Sequence, residues 1–544
     1  MVFNNLLNFI NNSFIFFKKK SLSLYLNSDV YNKKITSSIN TSLEYQPSPS
    51  LLDCLIKYGK KKINIQNYSL NEIWNNKNLK KKDFKNLNSF FWLFSLDLKS
   101  SKKDTQKILL QWMDKNYRYN SKSWEIDIVA KRIIAWTSNS RLTYEDGNTE
   151  YKNKFNILIK KQINHLINEI KRSELVNDKI IACASIILAG LSYPDKDDYL
   201  STGLDLLKKL VKFSFDNDGF PKSRNIRQLN LYLKYFILIR EWLKESQNEI
   251  PDFINENIYY LGQGYAFTGQ NKKVGFLFNG NHEADNADFD YYLKRLGYSF
   301  KNQTNELGGY AILNNKKISF IMDIGSSPEK KFSSTYQAGA LSFEILSNGK
   351  KLICNSGYFQ NQNHELNELS KSSAVHSALV LDDRSSCKFN KNKNKNKNYK
   401  ISHGLKILKK NIVFEKNYWK INASHDGYLK QYGIIHEREV EFYPEQMKFV
   451  GHDKIISKNK IKNLKYEIRF HLEPNIKIMK TQDNKSILID LGGEGWKFNS
   501  DNKMNIDNGL YFGRKDSFVD NQNIVISGMT NDKNQTIRWE ITKL

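Results

Sequence analysis

The sequence predicts a helical half followed by an antiparallel β-sandwich. Between about Leu70 and Glu245 apolar residues recur at steps of three and four, whereas after Pro251 they fall into short β-branched and aromatic runs divided by Asn, Gly and Lys. The stretch FSSTYQAGALSFEILSNGKKLICNSGYF, residues Phe332 to Phe359, shows the second pattern most plainly. Leu341, Phe343 and Ile345 alternate with Ser342 and Glu344, Asn348-Gly349 supplies two positive-φ turn residues, and Leu352 to Cys354 resumes the apolar run.

In the helical half, Ile108, Leu109, Trp112 and Met113 share one face, as do Phe155, Ile159, Ile163, Leu166, Ile167 and Ile170. Further helices are predicted over Trp124 to Ser138, Asp178 to Leu191, Leu204 to Phe215 and Ile226 to Leu243. Six or seven antiparallel helices with short connections close into a bundle, a solenoid or an α/α toroid. Strands are predicted at VGFLF, GGYAIL, KISFIMDI, ALSFEIL, KLIC, SALVL, EVEFY, YEIRFHL, SILIDL and TIRWEI. Ten or more strands in succession predict a layered antiparallel sandwich, with the boundary near Asn255 to Gly269. The predicted division is an N-terminal extension at 1–69, a helical domain at 70–255 and a sandwich at 256–544.

The chain has 544 residues, 40% hydrophobic and 13% aromatic, which excludes general disorder. Its 84 Lys and Arg against 57 Asp and Glu give +27, a charge suited to a polyanionic partner. An AT-rich coding bias, with Lys and Asn abundant throughout, explains the excess equally well. No RNA- or DNA-binding motif is present, and nucleic acid is not the expected partner. Cys54, Cys183, Cys354 and Cys387 are far apart and form no CxxC, so buried free thiols are expected in place of a disulfide scaffold or zinc ribbon. NNLLNFINNSFIFFKKK is too short and polar for a membrane span and lacks a leader pattern; an amphipathic surface helix is the alternative. NKNKNKNKN at 390–398 is expected to be a solvated loop.

Several phrases, in order, resemble the heparinase II/III family of polysaccharide lyases. They are WEIDIVAKRIIAW and DGFPKSRN in the helical half, then LFNG, AGALSFEI, LICNSGY, AVHSALVLDD, SHDGYLKQYGIIHER and YEIRFHLEP, covering roughly Trp74 to the C-terminus. The resemblance implies an incomplete α/α toroid packed on an antiparallel β-sandwich, with an acidic glycan in the cleft between them. The implied reaction is β-elimination, which removes the C5 proton of a uronic acid and expels the oxygen at C4. It requires neutralisation of the carboxylate, a base and a proton donor.

The family's Asn-His resembles Asn177-Asp178, so Asn177 is a candidate carboxylate neutraliser and the His is lost. Where the family has its catalytic Tyr, DGFPKSRNIRQL offers Gln228. The family's His-x-His-Ala-Asp corresponds to Thr335-Tyr336-Gln337-Ala338-Gly339, which removes an acid/base and a zinc ligand, and Asn355 stands where Asp is common. His471 is left as a remnant of that metal site, so no bound metal and no cofactor are expected. His376 occupies a position where the family keeps a His; His425, Asp426, Tyr428, His436 and Arg438 cluster in one phrase.

If chemistry persists, Asn177 or Arg224 serves the carboxylate and His376 or His425 moves the proton. Arg132, Arg224, Asn225, His436 and Arg438 are the candidates for substrate binding. Each has a duller alternative: Asn177 and Asn225 as helix caps, Arg132 paired with Glu125 or Asp127, and the histidines as satisfied hydrogen-bonders.

The expected function is thus a lyase-like protein acting on a uronate-containing glycan, with a catalytically silent glycan-binding or envelope scaffold as the alternative. A hydrolase using two of Glu125, Asp127, Asp216 and Asp218 ranks last. A monomer is expected. The resemblance implies the periplasm or cell envelope, whereas the absent leader pattern points to the cytoplasm.

Overall fold

A computed structural model describes residues 2–36, 42–52, 74, 79–96, 102–194, 198–268, 275–283, 286–361, 364–390, 399–457, 463–483, 485–514, 517–531 and 534–544. Cys54 and the repeat at 391–398 lie outside them. Contacts divide the chain into two units: residues 1–213 with 234–256, and residues 214–233 with 257–544.

The first unit is helical. Helices Lys81–Ser89, Lys102–Lys115, Ile126–Ser138, Thr149–Glu169, Val176–Ser192 and Tyr199–Ser214 follow the predicted periodicity. Ile126–Ser138 is buried on nearly every side, as befits a central helix without charged residues in its second half. Its Trp136 packs edge-on to Trp112 and Phe90. The N-terminal helices Val2–Leu26 and Asp29–Ile35 join this unit: the Tyr31 hydroxyl and His165 Nδ1 lie 2.8 Å apart, and Asn164 donates to the Ile35 carbonyl.

The second unit takes in two helices, the rest of Asp252–Phe267 and Ala287–Arg295, before its strands begin at Glu306. Its strands are β1 Glu306–Leu307, β2 Tyr310–Asn314, β3 Ile318–Asp323, β4 Phe343–Ser347, β5 Lys350–Ile353, β6 Leu379–Leu381, β7 Lys388–Phe389, β8 Ile401–His403, β9 Ile407–Phe414, β10 Trp419–His425, β11 Ile434–Tyr443, β12 Lys448–Ser457, β13 Lys465–His471, β14 Lys477–Lys480, β15 Ser486–Asp490, β16 Gly495–Ser500, β17 Met504–Tyr511, β18 Val519–Met529 and β19 Gln535–Lys543. They form an antiparallel sheet β1-β2-β3-β4-β5, an eight-stranded sheet β14-β15-β16-β19-β12-β11-β10-β9 and a sheet β17-β18-β13-β6, with β7 and β8 as a separate pair. Phe320, Phe343, Phe449, Phe470 and Trp539, drawn from all three sheets, meet in one core.

Three expectations are corrected here. Strands do not begin after Pro251 or at the expected boundary near Asn255 to Gly269: the helices Asp252–Phe267 and Ala287–Arg295 come before the first strand at Glu306. VGFLF is not a ladder strand over its described residues: residues 275–278 join no sheet. The helix Ile226–Glu245 does not fall wholly in one unit, because residues up to Leu233 pack with the strands. Its apolar spacing runs through unbroken, so periodicity carries no sign of the division.

The Asn348-Gly349 turn has φ of 48° and 80°, as the hairpin requires. A Cβ at Gly349 would meet nothing within 4 Å, so its only cost is conformational. Gly349→Ala should lower stability by about 1 kcal/mol in urea denaturation.

Candidate functional site

The segment DGFPKSRN is anchored in the second unit by Arg224. Its guanidinium donates to the carbonyls of Gly308, Gly309, Gly325 and Ser326 and to Asp323 Oδ1, the last at 2.6 Å. Every N–H of the fork is used, which is how a buried charge is tolerated. Burial opposes the charge, but Asp323 overcomes it and raises the pKa.

This pairing shapes a groove of about 700 Å³ lined by Asp216, Asp218, Thr304, Glu306, Gly308, Gly309, Gly325, Ser326 and residues 407–410. A Cβ on Gly309 or Gly325 would come within 2.8 Å or 2.4 Å of the Arg224 side chain, and one on Gly308 within 2.4 Å of Phe220. The floor is therefore bare backbone. Asp216 Oδ1 is fixed by the amides of Asp218 (3.0 Å) and Phe220 (2.8 Å), and burial raises its pKa. Lys410, on β9, pairs with Glu306. Lys409 is exposed.

Arg224 itself lies under this floor, 7% exposed, and Asn225 is 3% exposed. Asn225 Oδ1 accepts from the amides of Arg227 and Gln228, capping the helix, while its Nδ2 donates to Thr335 Oγ1 at 2.9 Å. Gln228 accepts from Ser223 Oγ. Thr335 and Gln228, which stand where the resemblance places a His and a Tyr, are thus neutral groups, each with a hydrogen bond to the segment that carries Arg224.

The histidines are enclosed. His425 and His436 face each other across β10 and β11, with Nε2 and Nδ1 3.3 Å apart. Gly427 N–H donates to His425 Nδ1, so His425 Nε2–H donates to His436 Nδ1, and His436 Nε2–H donates to Asp453 Oδ1 at 2.7 Å. That one-way chain satisfies both rings as neutral imidazoles. Burial lowers the pKa of each. Arg438 donates to Asp453 (2.7 Å) and to the Leu341 and Ser377 carbonyls; Trp539 Nε1 donates to the other Asp453 oxygen. Arg438 and His436 are 0% and 1% exposed, enclosed by the partners that hold them.

His376 is also 1% exposed. Its Nδ1–H donates to the Ser372 carbonyl at 2.8 Å, and burial lowers its pKa to about 4. Its Nε2 has no hydrogen-bond partner and lies against Gly339.

The neighbouring donors do not fit zinc. Gln337 accepts from Gly280 N–H and donates to the Gly357 and Ser370 carbonyls, and Asn355 Oδ1 accepts from Ser377 N–H. These are committed neutral amides, where zinc takes imidazole, thiolate or carboxylate. His471 is spoken for by Ser356 and the Ala374 carbonyl. Among the described residues no three His, Cys, Asp or Glu converge on a metal position.

In the helical unit, Arg132 is 0% exposed, lies over the Trp112 ring at 4.0 Å, and donates to Gln162 and to the carbonyls of Asn88 and Ser123. These contacts hold it in the helical core, and Glu125 and Asp127 pair with Lys85 instead. Asn177 is the second residue of Val176–Ser192, not its cap, and its Oδ1 is buried without a partner. Burial, with Asp127 nearby, raises the Asp178 pKa to about 6.

Sequence reasoning missed Asp323, Asp453, Glu306 and Lys409. An acid closing an apolar run, as in KISFIMDI, was the available signal for Asp323.

Residues 305–540 match the family model described as heparinase II/III-like, C-terminal. In solved structures the chain is similar to heparinase III (14% identity, 94% of this chain and 88% of that one, TM-score 0.65). It is also similar to a mutant of the heparan sulfate lyase HepC from Pedobacter heparinus (13%, 90% and 79%, 0.64) and to the heparinase III BT4657 gene product (13%, 93% and 86%, 0.67). These likenesses establish the fold, a helical region followed by antiparallel sheets. No curated protein matches the sequence.

The buried groups make two expectations about stability. Asp453→Ala leaves Arg438 without its counter-charge and should cost about 3–5 kcal/mol in denaturant unfolding. His376 is held near pKa 4 and His471 near 3, against about 6.5 in an unfolded chain. The unfolded chain therefore binds protons first as pH falls below about 6.5, and the stability present above that pH is lost toward the folded values at about 1.4 kcal/mol per pH unit for each ring. His376→Asn should shrink the stability difference between about pH 7 and pH 5 by roughly 2 kcal/mol.

Proposed function

We propose that this chain, heparinase II/III-like over residues 305–540 and in its fold, binds an acidic glycan without cleaving it. The observation that carries this reading is the state of the histidines. His376 and His425 are 1% exposed and neutral, and neither offers a ring nitrogen to a substrate in solvent. A general base must come within hydrogen-bond reach of the proton it removes. Gln228 and Thr335 have no useful acid/base chemistry near neutral pH.

Binding needs less. The open, polar, glycine-floored groove suits a sugar chain, and the net charge of +27 draws a polyanion toward the molecule.

Retained elimination is the second reading, and one observation favours it. Burial, with Asp127 nearby, raises the Asp178 pKa to about 6, a value suited to proton transfer. In that case Asn177 would meet the uronate carboxylate through its Nδ2–H, the only part of the amide that can donate.

Purified protein mixed with heparan sulfate, alginate or hyaluronan should release no ultraviolet-absorbing unsaturated uronide. It should bind acidic oligosaccharides of the recognised type with an affinity that falls as salt is raised, and His376→Ala should leave that affinity unchanged. Release of unsaturated uronide, lost in Asp178→Asn, would replace this reading with the second.

A further inference from the structure

The helix Val2–Leu26 turns large apolar side chains toward water. Phe14, Phe16, Phe17 and Leu24 are between 62% and 69% exposed, and the rings of Phe16 and Phe17 pack edge-on against each other. Phe14, Phe17 and Leu24 follow one another at steps of three and seven, one stripe of a helix, and in the sequence Phe3, Leu7 and Ile10 keep the same spacing. The helix is held to its unit from another side. At about 100° per residue, Leu26 falls nearly opposite Leu24; it is buried, and Tyr25 packs edge-on to the buried Tyr31.

Charge decides what covers the stripe. Residues 2–26 hold three lysines and no acid. Lys18 and Lys20 are exposed and fall on its two flanks, about 40° beyond Phe14 and Leu24. A second copy laid on the same stripe would bring lysine against lysine with no carboxylate to offset them, whereas paired helices place opposite charges at those flanks. An anionic lipid surface fits the same arrangement, with phosphates for the lysines and acyl chains for the rings. The helix is too polar to span, with five asparagines beside its lysines, and among the described residues no helix is long and apolar enough to cross a membrane.

We propose that Val2–Leu26 is an interfacial anchor that lies in the headgroup layer of an anionic membrane, its stripe sunk toward the acyl chains and Lys18 and Lys20 at the phosphates. This goes beyond glycan binding and does not depend on it.

Vesicle flotation of the full chain tests the anchor. The protein should float with vesicles of equal parts phosphatidylcholine and phosphatidylglycerol but not with phosphatidylcholine alone, and the binding should weaken as salt is raised. Phe14→Ser with Phe17→Ser, and separately Lys18→Gln with Lys20→Gln, should each lower the vesicle affinity at least about tenfold. All four side chains are exposed, so the melting curve should stay where it is. No flotation, equal flotation with both vesicles, or flotation that survives either double substitution would overturn the anchor. So would a dimer in sedimentation velocity that Phe14→Ser with Phe17→Ser dissolves, because the stripe would then belong to a second copy.

Discussion

The pairing of Arg224 with Asp323 is the constraint on which the candidate site depends. An unpaired guanidinium away from water costs several kcal/mol, so the chain around it must supply both counter-charge and acceptors. It does so with one carboxylate and four carbonyls, all from the β1–β3 region, and with Arg224 itself in the left-handed backbone region at φ 59°. Tyr310 reinforces the arrangement: its hydroxyl donates to the Arg224 carbonyl and accepts from Asn279. The consequence is a segment that follows the helices in sequence but packs with the strands, and a floor on which Gly309 and Gly325 have no space for a side chain.

The same solvation argument explains why His425 and His436 are held as neutral rings. Asp453 gathers Arg438, His436 and Trp539, and His425 continues the chain from His436, so both imidazole N–H groups, the indole N–H and the Arg438 Nε–H are spent on internal acceptors. Burial then lowers the pKa of the rings rather than poising them near neutrality. At the positions where the resemblance implies acid, base and metal ligand, Thr335, Gln228, Gln337 and Asn355 are neutral groups in hydrogen bonds. Those bonds tie the segments that carry them to their neighbours.

Much of the architecture was legible because it is written in local periodicity: the helical spacing up to Glu245, the alternating runs from Glu306 onward, and the positive φ values of Asn348-Gly349. What failed was long-range. VGFLF has strand composition but no ladder partner, and the helix Ile226–Glu245 gives no periodic sign of where its packing changes. Site residues were legible as types but not as environments. Arg132 and Arg438 read as carboxylate forks, yet their acceptors, Gln162, Asn88 and Ser123 for one and Asp453 for the other, are distant in sequence. Burial of a cation is decided by such partners, and periodicity is blind to them.

The central claim, that a glycan is held over the glycine floor created by Arg224 and Asp323, is tested most directly by hydrogen–deuterium exchange with and without a saturating acidic oligosaccharide. The account predicts slowed exchange in peptides covering Glu306 to Gly309, Gly325 to Ser326 and Ile407 to Lys410. Unchanged exchange in those peptides with protection elsewhere, for instance at residues 475–478 and 520–522, would contradict it.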